Sequence, residues 1–125
     1  MLRRGTPAKY MLWGEEVAAL KANVLDDIAY GRMMNPLKTT AVLYIDDFFR
    51  GNPTAADARI AFEILNARYN RRDLVTIISS ERSIDGLLDV DEAVGSRVYE
   101  RTRQYCFSIG SDPHKNYRMR GNACE

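Results

Sequence analysis

Short apolar runs alternate along the chain with longer stretches in which apolar residues recur at helical spacing. Two runs, residues 41–46 and 74–78, are rich in aliphatic side chains and contain few polar residues. Runs of this kind are typical of parallel strands that helices cover on both faces. Shorter runs at residues 9–13 and 105–109 predict two further strands, and the run at 41–46 is expected to be the centre of the sheet.

The first helix is predicted to follow the strand at residues 9–13 and to end near Gly31. Its buried stripe is expected to contain Val17, Leu20, Val24 and Ile28. Pro36 blocks continuation of a long helix, because proline lacks the backbone N–H and crowds the preceding turn. Residues 33–37 are therefore predicted to form a short helical turn or a loop packed under the sheet.

Three further helix signals follow after the central run. Thr54 with Asp57 three positions later resembles a helix start, and this helix is expected to reach about Asn70. Ser83 is expected to cap a short helix, and Asp91 to open the last one. Strands and helices in this alternation predict an α/β fold with a mostly parallel sheet of about four strands flanked by helices.

Composition and charge limit the classes of protein to consider. The 125 residues are 46% hydrophobic and 28% charged, which suits one domain with a real core. A formal net charge of +1 gives the molecule no overall field that would indicate nucleic-acid or membrane binding. No window approaches the roughly 18 apolar residues of a membrane span, and the two cysteines lack metal-site spacing. A reduced, cytoplasmic protein without a membrane partner is expected.

Two carboxylates follow the central apolar run, at the end of a strand where α/β proteins bind ligands. Burying the adjacent Asp46 and Asp47 inside a core would be costly. Such a pair suits Mg²⁺ bound with a nucleotide, one acid reaching the metal through water and the other orienting the attacking water. Ser79 and Ser80 end the run at 74–78, and their hydroxyls are expected near the acids if the two strands are adjacent. Two alternatives stay open. The two acids can be solvated residues at a strand end, and the two serines can be an ordinary cap for the next helix.

Four segments of the chain form an ordered pattern. They are Leu43–Phe49, Ala61–Asn70, Thr76–Glu81 and Gly95–Arg101. Their order and spacing resemble the AAA+ ATPases that load bacterial replicative helicases, a group that includes the DnaC and DnaI loaders, their phage counterparts and the transposition helper IstB. The resemblance runs from about Ala8 to Arg120, which is nearly the whole chain.

The resemblance implies a role for each polar residue at the strand ends. Asp46 would be the Walker B acid, bound to Mg²⁺ through water, and Asp47 the water-orienting acid. The family often has Asp-Glu at these two positions, and Asp-Asp also occurs among its IstB-like members. Ser79 or Ser80 would be sensor 1, the polar group that contacts the γ-phosphate. ATP and Mg²⁺ are the cofactors implied for the complete protein.

Arg101 resembles the arginine finger that one subunit inserts into the ATP site of the next, and Arg97 is the alternative. Both arginines also fit a solvated basic face. The implied partners are a DnaB-type replicative helicase, single-stranded DNA and further copies of the chain. A polar tail at residues 112–125 either contacts nucleic acid or is a solvated terminus. Its candidate contacts are Lys115, Tyr117, Arg118 and Arg120.

The sequence contains no Gly-x-x-x-x-Gly-Lys-Ser/Thr, the loop that cradles phosphates in this family. Residues 1–125 are therefore expected to form a single incomplete AAA+ domain without the first, phosphate-loop strand, and to show little or no ATPase activity alone. The family's strand order places the missing strand between the strands at 74–78 and 105–109. Direct pairing of these two strands, or a strand from another chain, is expected to fill the gap.

Three other classes of protein compete with this interpretation. A receiver domain also has an acidic pair at a strand end, but it needs a third aspartate where Ser79 stands and a lysine after the last strand. A metal-dependent nuclease needs a further acidic or histidine ligand beside Asp46 and Asp47. A non-catalytic module for interaction or oligomerisation, derived from such an ATPase, is the main alternative.

Overall fold

A computed structural model of the chain describes residues 7–102, which form three strands and five helices in α/β order. In chain order these are β1 (Ala8–Leu12), α1 (Trp13–Ala22), α2 (Asp27–Thr39), β2 (Val42–Asp46), α3 (Ala55–Tyr69), β3 (Val75–Ile78), α4 (Ile84–Val90) and α5 (Glu92–Thr102). The predicted α/β alternation is confirmed within these residues. The strand predicted at 105–109 and the tail at 112–125 lie outside the described part of the chain.

The three strands form one parallel sheet in the order β1-β2-β3. The apolar run that predicted the central strand is indeed central, since Val42 of β2 pairs with Ala8 on one side and Val75 on the other. All three carboxyl ends therefore lie at one edge of the sheet. Among residues 7–102 β3 pairs with β2 alone, and the expectation that residues 105–109 or another chain fill its outer edge stays a prediction.

The two faces of the sheet differ in exposure. The fully buried residues of one face are Met11, Leu43 and Ile45, and the exposed residues of the other are Tyr10, Tyr44, Val75 and Ile77. Tyr44 is 36% exposed on the central strand itself. Within residues 7–102 the predicted burial of this strand on both faces is therefore wrong at Tyr44, although Val42 on the same face is buried. An apolar run shows that a strand is hydrophobic, but it does not show what covers each face.

One predicted helix is two helices in the structure. α1 ends at Ala22, and the next side chain, Asn23, donates to the Ala19 carbonyl at 2.9 Å. Asp26 then caps α2 by accepting from the Ala29 N–H at 3.1 Å. Such side chain–backbone bonds compete with helix continuation. The prediction of a single helix ending near residue 31 is therefore wrong.

Pro36 lies inside α2, which continues to Thr39. The prediction that this proline limits residues 33–37 to a helical turn or loop is therefore wrong. Pro36 falls in the last turn, where its missing N–H removes one helical bond and the chain needs to continue for only three residues more. Met34 and Leu37 of this segment are buried.

α3 begins as the sequence predicts. Thr54 Oγ1 accepts from the Asp57 N–H at 3.3 Å, and the Asp57 carboxylate accepts from the Thr54 N–H at 2.8 Å. This reciprocal pair satisfies two N–H groups at the helix start and forms a capping box. The buried face of α3 includes Ile60, Ala61, Ile64 and Leu65.

Arg68, near the end of α3, is a charged side chain in the core, only 3% exposed. Its guanidinium donates to the carbonyls of Leu37, Thr40 and Val75 and, at 2.7 Å, to Thr76 Oγ1. Desolvation lowers the pKa of this guanidinium. The carbonyls lie at the end of α2 and the start of β3, so one side chain ties three elements together and satisfies oxygens that a helix leaves unpaired at its carboxyl end.

The chain divides between Glu81 and Arg82 into two compact units, and all the elements up to β3 belong to the first. In the second unit Ser83 caps α4 by accepting from the Gly86 N–H at 3.1 Å. The Asp91 carboxylate accepts from the backbone of α5 at 3.0 Å. Both helix starts are as predicted.

Gly95 allows α5 to lie very close to α4. A Cβ atom at this position would stand 2.7 Å from the backbone nitrogen of Leu88 and 2.8 Å from its Cα. Because these are main-chain atoms, they cannot move aside without shifting the helix. The glycine is therefore a packing requirement of the second unit.

Candidate functional site

Asp46 is the last residue of the central strand, and both of its carboxylate oxygens accept a hydrogen bond. Ser79 Oγ, just beyond β3, donates to Oδ1 at 2.6 Å. The phenolic hydroxyl of Tyr10 on β1 donates to Oδ2 at 2.7 Å. The two neighbouring strands therefore each place one hydroxyl on the carboxylate between them.

These two bonds fix the ionisation of the site. The bond from Ser79, and after it the bond from Tyr10, holds the pKa of Asp46 below its ordinary value of 3.8. The bond to Asp46, helped by desolvation, raises the pKa of Tyr10 to about 12. At neutral pH the site therefore consists of an ionised carboxylate between two neutral hydroxyl donors.

Asp47 turns away from the strand and makes a second set of contacts. Its N–H donates to Ser79 Oγ at 3.2 Å, so the serine hydroxyl accepts from one aspartate and donates to the other. Its carboxylate accepts from the Arg50 guanidinium at 3.0 Å, and this guanidinium also lies 3.9 Å from Glu81. The site therefore contains a cation close to the second acid.

The turn after Asp46 is strained and anchored in the core. Asp47 and Phe49 both have φ of 58°, a left-handed conformation that is uncommon for residues other than glycine. Phe48 and Phe49 are fully buried, stack at a centroid distance of 4.2 Å, and pack edge-on against Trp13. This aromatic cluster holds the backbone in a conformation that presents the Asp47 carboxylate at the edge of the sheet.

The loops after β2 and β3 are also joined through their backbones. Ser79 N–H donates to the Ile45 carbonyl at 2.9 Å, and Phe48 N–H donates to the Ser79 carbonyl at 2.8 Å. Ser80 Oγ donates to the Phe48 carbonyl at 2.8 Å. Ser79 thus contacts both acids, whereas the side chain of Ser80 supports the turn.

The structure brings together four of the residues predicted for the site. Asp46, Asp47, Ser79 and Ser80 share the carboxyl edge of the sheet. Arg97 and Arg101 lie one turn apart on α5 in the second unit. Lys115, Tyr117, Arg118 and Arg120 lie outside the described residues.

Two residues of this site were not predicted from the sequence. Tyr10 reaches Asp46 because Leu12 pairs with Asp46 in the sheet register, which places Tyr10 on the same face as the carboxylate. Arg50 reaches Asp47 because the left-handed turn folds the chain back. Neither the register nor the turn can be read from the hydrophobic pattern. A phenol two residues before a strand end was the available signal for Tyr10.

A surface depression of about 590 Å³ lies at the opposite, amino-terminal ends of the strands. Its lining includes Pro7, Thr40 and Leu74, each of which lies one or two residues before the start of a strand. This position is away from Asp46, so the depression takes no part in the candidate site.

The donor set of the carboxyl edge consists of oxygen atoms. Within residues 7–102 no group of three or more His, Cys, Asp or Glu side chains is placed to hold a metal ion. Mg²⁺ does not require such a group, because it commonly keeps several waters and binds through one or two carboxylates together with phosphates. The same residues include no helix that is long and apolar enough to cross a membrane.

Two proteins of Bacillus subtilis (strain 168) are similar to the chain. The phage-like element PBSX protein XkdC is 38% identical over 94 residues, which cover 70% of this chain and 35% of that protein. The uncharacterized protein YqaM is 35% identical over 124 residues, covering 94% of this chain and 38% of that protein. No family model and no solved structure matches. The chain thus spans well under half the length of both relatives and is similar to part of a phage-like element protein.

Proposed function

We propose that the chain is the Walker B and sensor part of an ATP-dependent helicase loader of the AAA+ class. The parallel order β1-β2-β3 is the order that the resemblance implies for these three strands. The relative XkdC is named a phage-like element protein, and the loaders that the sequence resembles include phage counterparts. The part of the chain that carries Arg97 and Arg101 supplies the proposed arginine finger.

The observation that carries the proposal is the contact between Ser79 and Asp46 at 2.6 Å. Two solvated strand ends would leave both side chains to water. In the proposed ATP site, by contrast, the sensor hydroxyl stands beside the acid that holds the metal's water. The shared hydroxyl also fixes Asp47 through its N–H, so the two acids and the serine act as one unit.

The oxygen donors of this edge fit Mg²⁺ bound with ATP. The metal, when bound, offsets the negative charge of the phosphates. In this proposal Asp46 accepts hydrogen bonds from the metal's waters, Asp47 orients the attacking water, and Ser79 contacts the γ-phosphate. The phosphate cradle is not among the 125 residues. The chain alone is therefore expected to hydrolyse ATP little or not at all.

The proposed function is tested by a chimera that joins the phosphate-loop segment of a helicase loader ahead of residue 7. Asp46→Asn should lower ATP hydrolysis by roughly a hundredfold, and Ser79→Ala by roughly tenfold, without loss of folding. Asp73→Asn is the matched control, because Asp73 is an exposed acid paired with Arg71 at the other end of the sheet. Hydrolysis by the chimera that does not change in Asp46→Asn would overturn the proposal.

A non-catalytic interaction module is the second candidate, and the exposed apolar face of the sheet favours it. Exposed apolar patches mark contact sites, and this face carries Tyr10, Tyr44, Val75 and Ile77. Ile77→Lys should then weaken both self-association in sedimentation and capture of a DnaB-type helicase. Leu25→Lys, on an exposed leucine of the α1–α2 loop, should leave both unchanged.

A further inference from the structure

Tyr10 and Ser79 each donate to a different carboxylate oxygen of Asp46, but they differ in exposure and in their other hydrogen bonds. The Ser79 hydroxyl is half-buried and is held a second time by the Asp47 N–H. Tyr10 is 55% exposed on the open face of the sheet. Its hydroxyl can leave Asp46 by rotation of the side chain into solvent, whereas the Ser79 hydroxyl oxygen is held in place by the second bond, from the Asp47 N–H.

We propose that Tyr10 is a latch on Asp46, whose hydroxyl competes with a hydrated divalent cation for Oδ2. The inference rests on the proposed function, because it takes Asp46 as the acid that binds the metal's water. Ser79 stays on Oδ1 while the cation displaces Tyr10, and it holds the carboxylate in place during this step. Tyr10 keeps Oδ2 until the cation arrives and then turns away from it.

The Tyr10 hydroxyl and the hydrated cation compete because they interact with Oδ2 in the same way. A phenolic O–H donates one hydrogen bond to a carboxylate oxygen, and so does a water in the shell of Mg²⁺. Tyr10 and Asp46 lie on the same face of the sheet. Asp46 pairs with Leu12, two residues after Tyr10, so the Tyr10 side chain reaches the carboxylate diagonally across the two strands. The rings of Tyr10 and Tyr44 pack edge-to-face at a centroid distance of 5.4 Å, which steadies the Tyr10 ring while its hydroxyl is on Asp46.

The latch is tested on the purified chain with Mn²⁺ as the probe, because paramagnetic broadening of amide signals reports weak and local binding. The signals followed are those of residues 46, 47 and 79. Tyr10→Phe removes the hydroxyl and keeps the ring, and it should lower the Mn²⁺ concentration for half broadening by roughly three- to tenfold, the value of one charge-assisted bond at a partly exposed site. Tyr44→Phe is the matched control and should behave as the wild type.

Asp46→Asn separates the two hypotheses. Broadening that Asp46→Asn abolishes, together with the shift in Tyr10→Phe, supports the latch. If Tyr10→Phe and wild type need equal Mn²⁺ concentrations for half broadening, and Asp46→Asn still abolishes the broadening, the latch is overturned. The metal site of the proposed function then stays intact. Broadening around residue 46 that persists in Asp46→Asn would overturn both.

Discussion

Ser79 donates its hydroxyl proton to Asp46 at 2.6 Å, across the carboxyl ends of two adjacent strands. Ser80, the next residue, donates instead to the main-chain carbonyl of Phe48. The two serines are equivalent in the sequence pattern, but successive side chains of an extended chain point to opposite sides. Only the first of them therefore reaches both acids, and it is the serine that we propose as the nucleotide sensor.

Ser79→Ala should raise the pKa of Asp46 toward 3.8, because the bond from Ser79 is the largest cause of its lowering. Carboxyl carbon chemical shifts measured against pH give this value directly. Ser80→Ala is the matched control and should leave the Asp46 titration unchanged. An unchanged titration in Ser79→Ala would contradict the geometry.

The same shift predicts a pH dependence of stability. A carboxyl whose folded-state pKa is lowered stabilises the fold above its unfolded pKa, and this contribution is lost as the pH falls through the folded value. The difference in unfolding free energy between wild type and Ser79→Ala should therefore be constant above about pH 5 and shrink below the ordinary pKa of 3.8. Urea unfolding at a series of pH values measures it, and a difference that grows on acidification would contradict the prediction.

Much of the sheet and four of the six site residues could be predicted, because buried parallel strands leave a strong sequence signal. The runs that became β2 and β3 are almost entirely apolar, and the change to Asp46 and Ser79 marks where each strand ends. Thr54 with Asp57 predicted the start of α3, since a capping box needs only those two side chains. Local chemistry of this kind can be read without knowing the fold.

The contacts of Tyr10 and Arg50 could not be predicted in this way. They depend on strand register and on a left-handed turn, both of which are set by packing between distant parts of the chain. Arg68 is similar, because a charged residue at helical spacing normally indicates a solvated face. Its burial follows from the carbonyl groups that α2 and β3 present to it.

Arg68→Met should lower the free energy of unfolding by about 2–4 kcal/mol, because it leaves buried carbonyl oxygens without donors. Methionine keeps most of the apolar volume, so the loss reports mainly the hydrogen bonds. Arg71→Met is the control, since this exposed arginine pairs with Asp73 and should cost less than about 1 kcal/mol. Urea unfolding followed by circular dichroism measures both. Equal costs would show that water replaces the guanidinium at these carbonyls.

Gly95→Ala should destabilise the second unit by about 1–3 kcal/mol, because the new Cβ would meet the Leu88 backbone. Hydrogen exchange of the amides in residues 84–102 should become faster. Gly31→Ala in α2 is the matched control. A Cβ at Gly31 meets nothing within 4 Å, so alanine there should stabilise its helix by about 0.5–1 kcal/mol. Unchanged exchange in Gly95→Ala would mean that the two helices can move apart without cost.

The break between α1 and α2 gives the sharpest test of the fold, because two residues of one predicted apolar stripe differ in burial. Leu20 is fully buried, whereas Ile28 is 70% exposed beyond the Asn23 and Asp26 contacts. Leu20→Ala should cost about 2–5 kcal/mol of unfolding free energy, the usual cost of a large core truncation, and Ile28→Ala less than about 0.5 kcal/mol. Both variants delete aliphatic carbons from a helix, so the contrast reports burial rather than helix propensity. Similar costs would mean that the two helices form one continuous buried stripe after all.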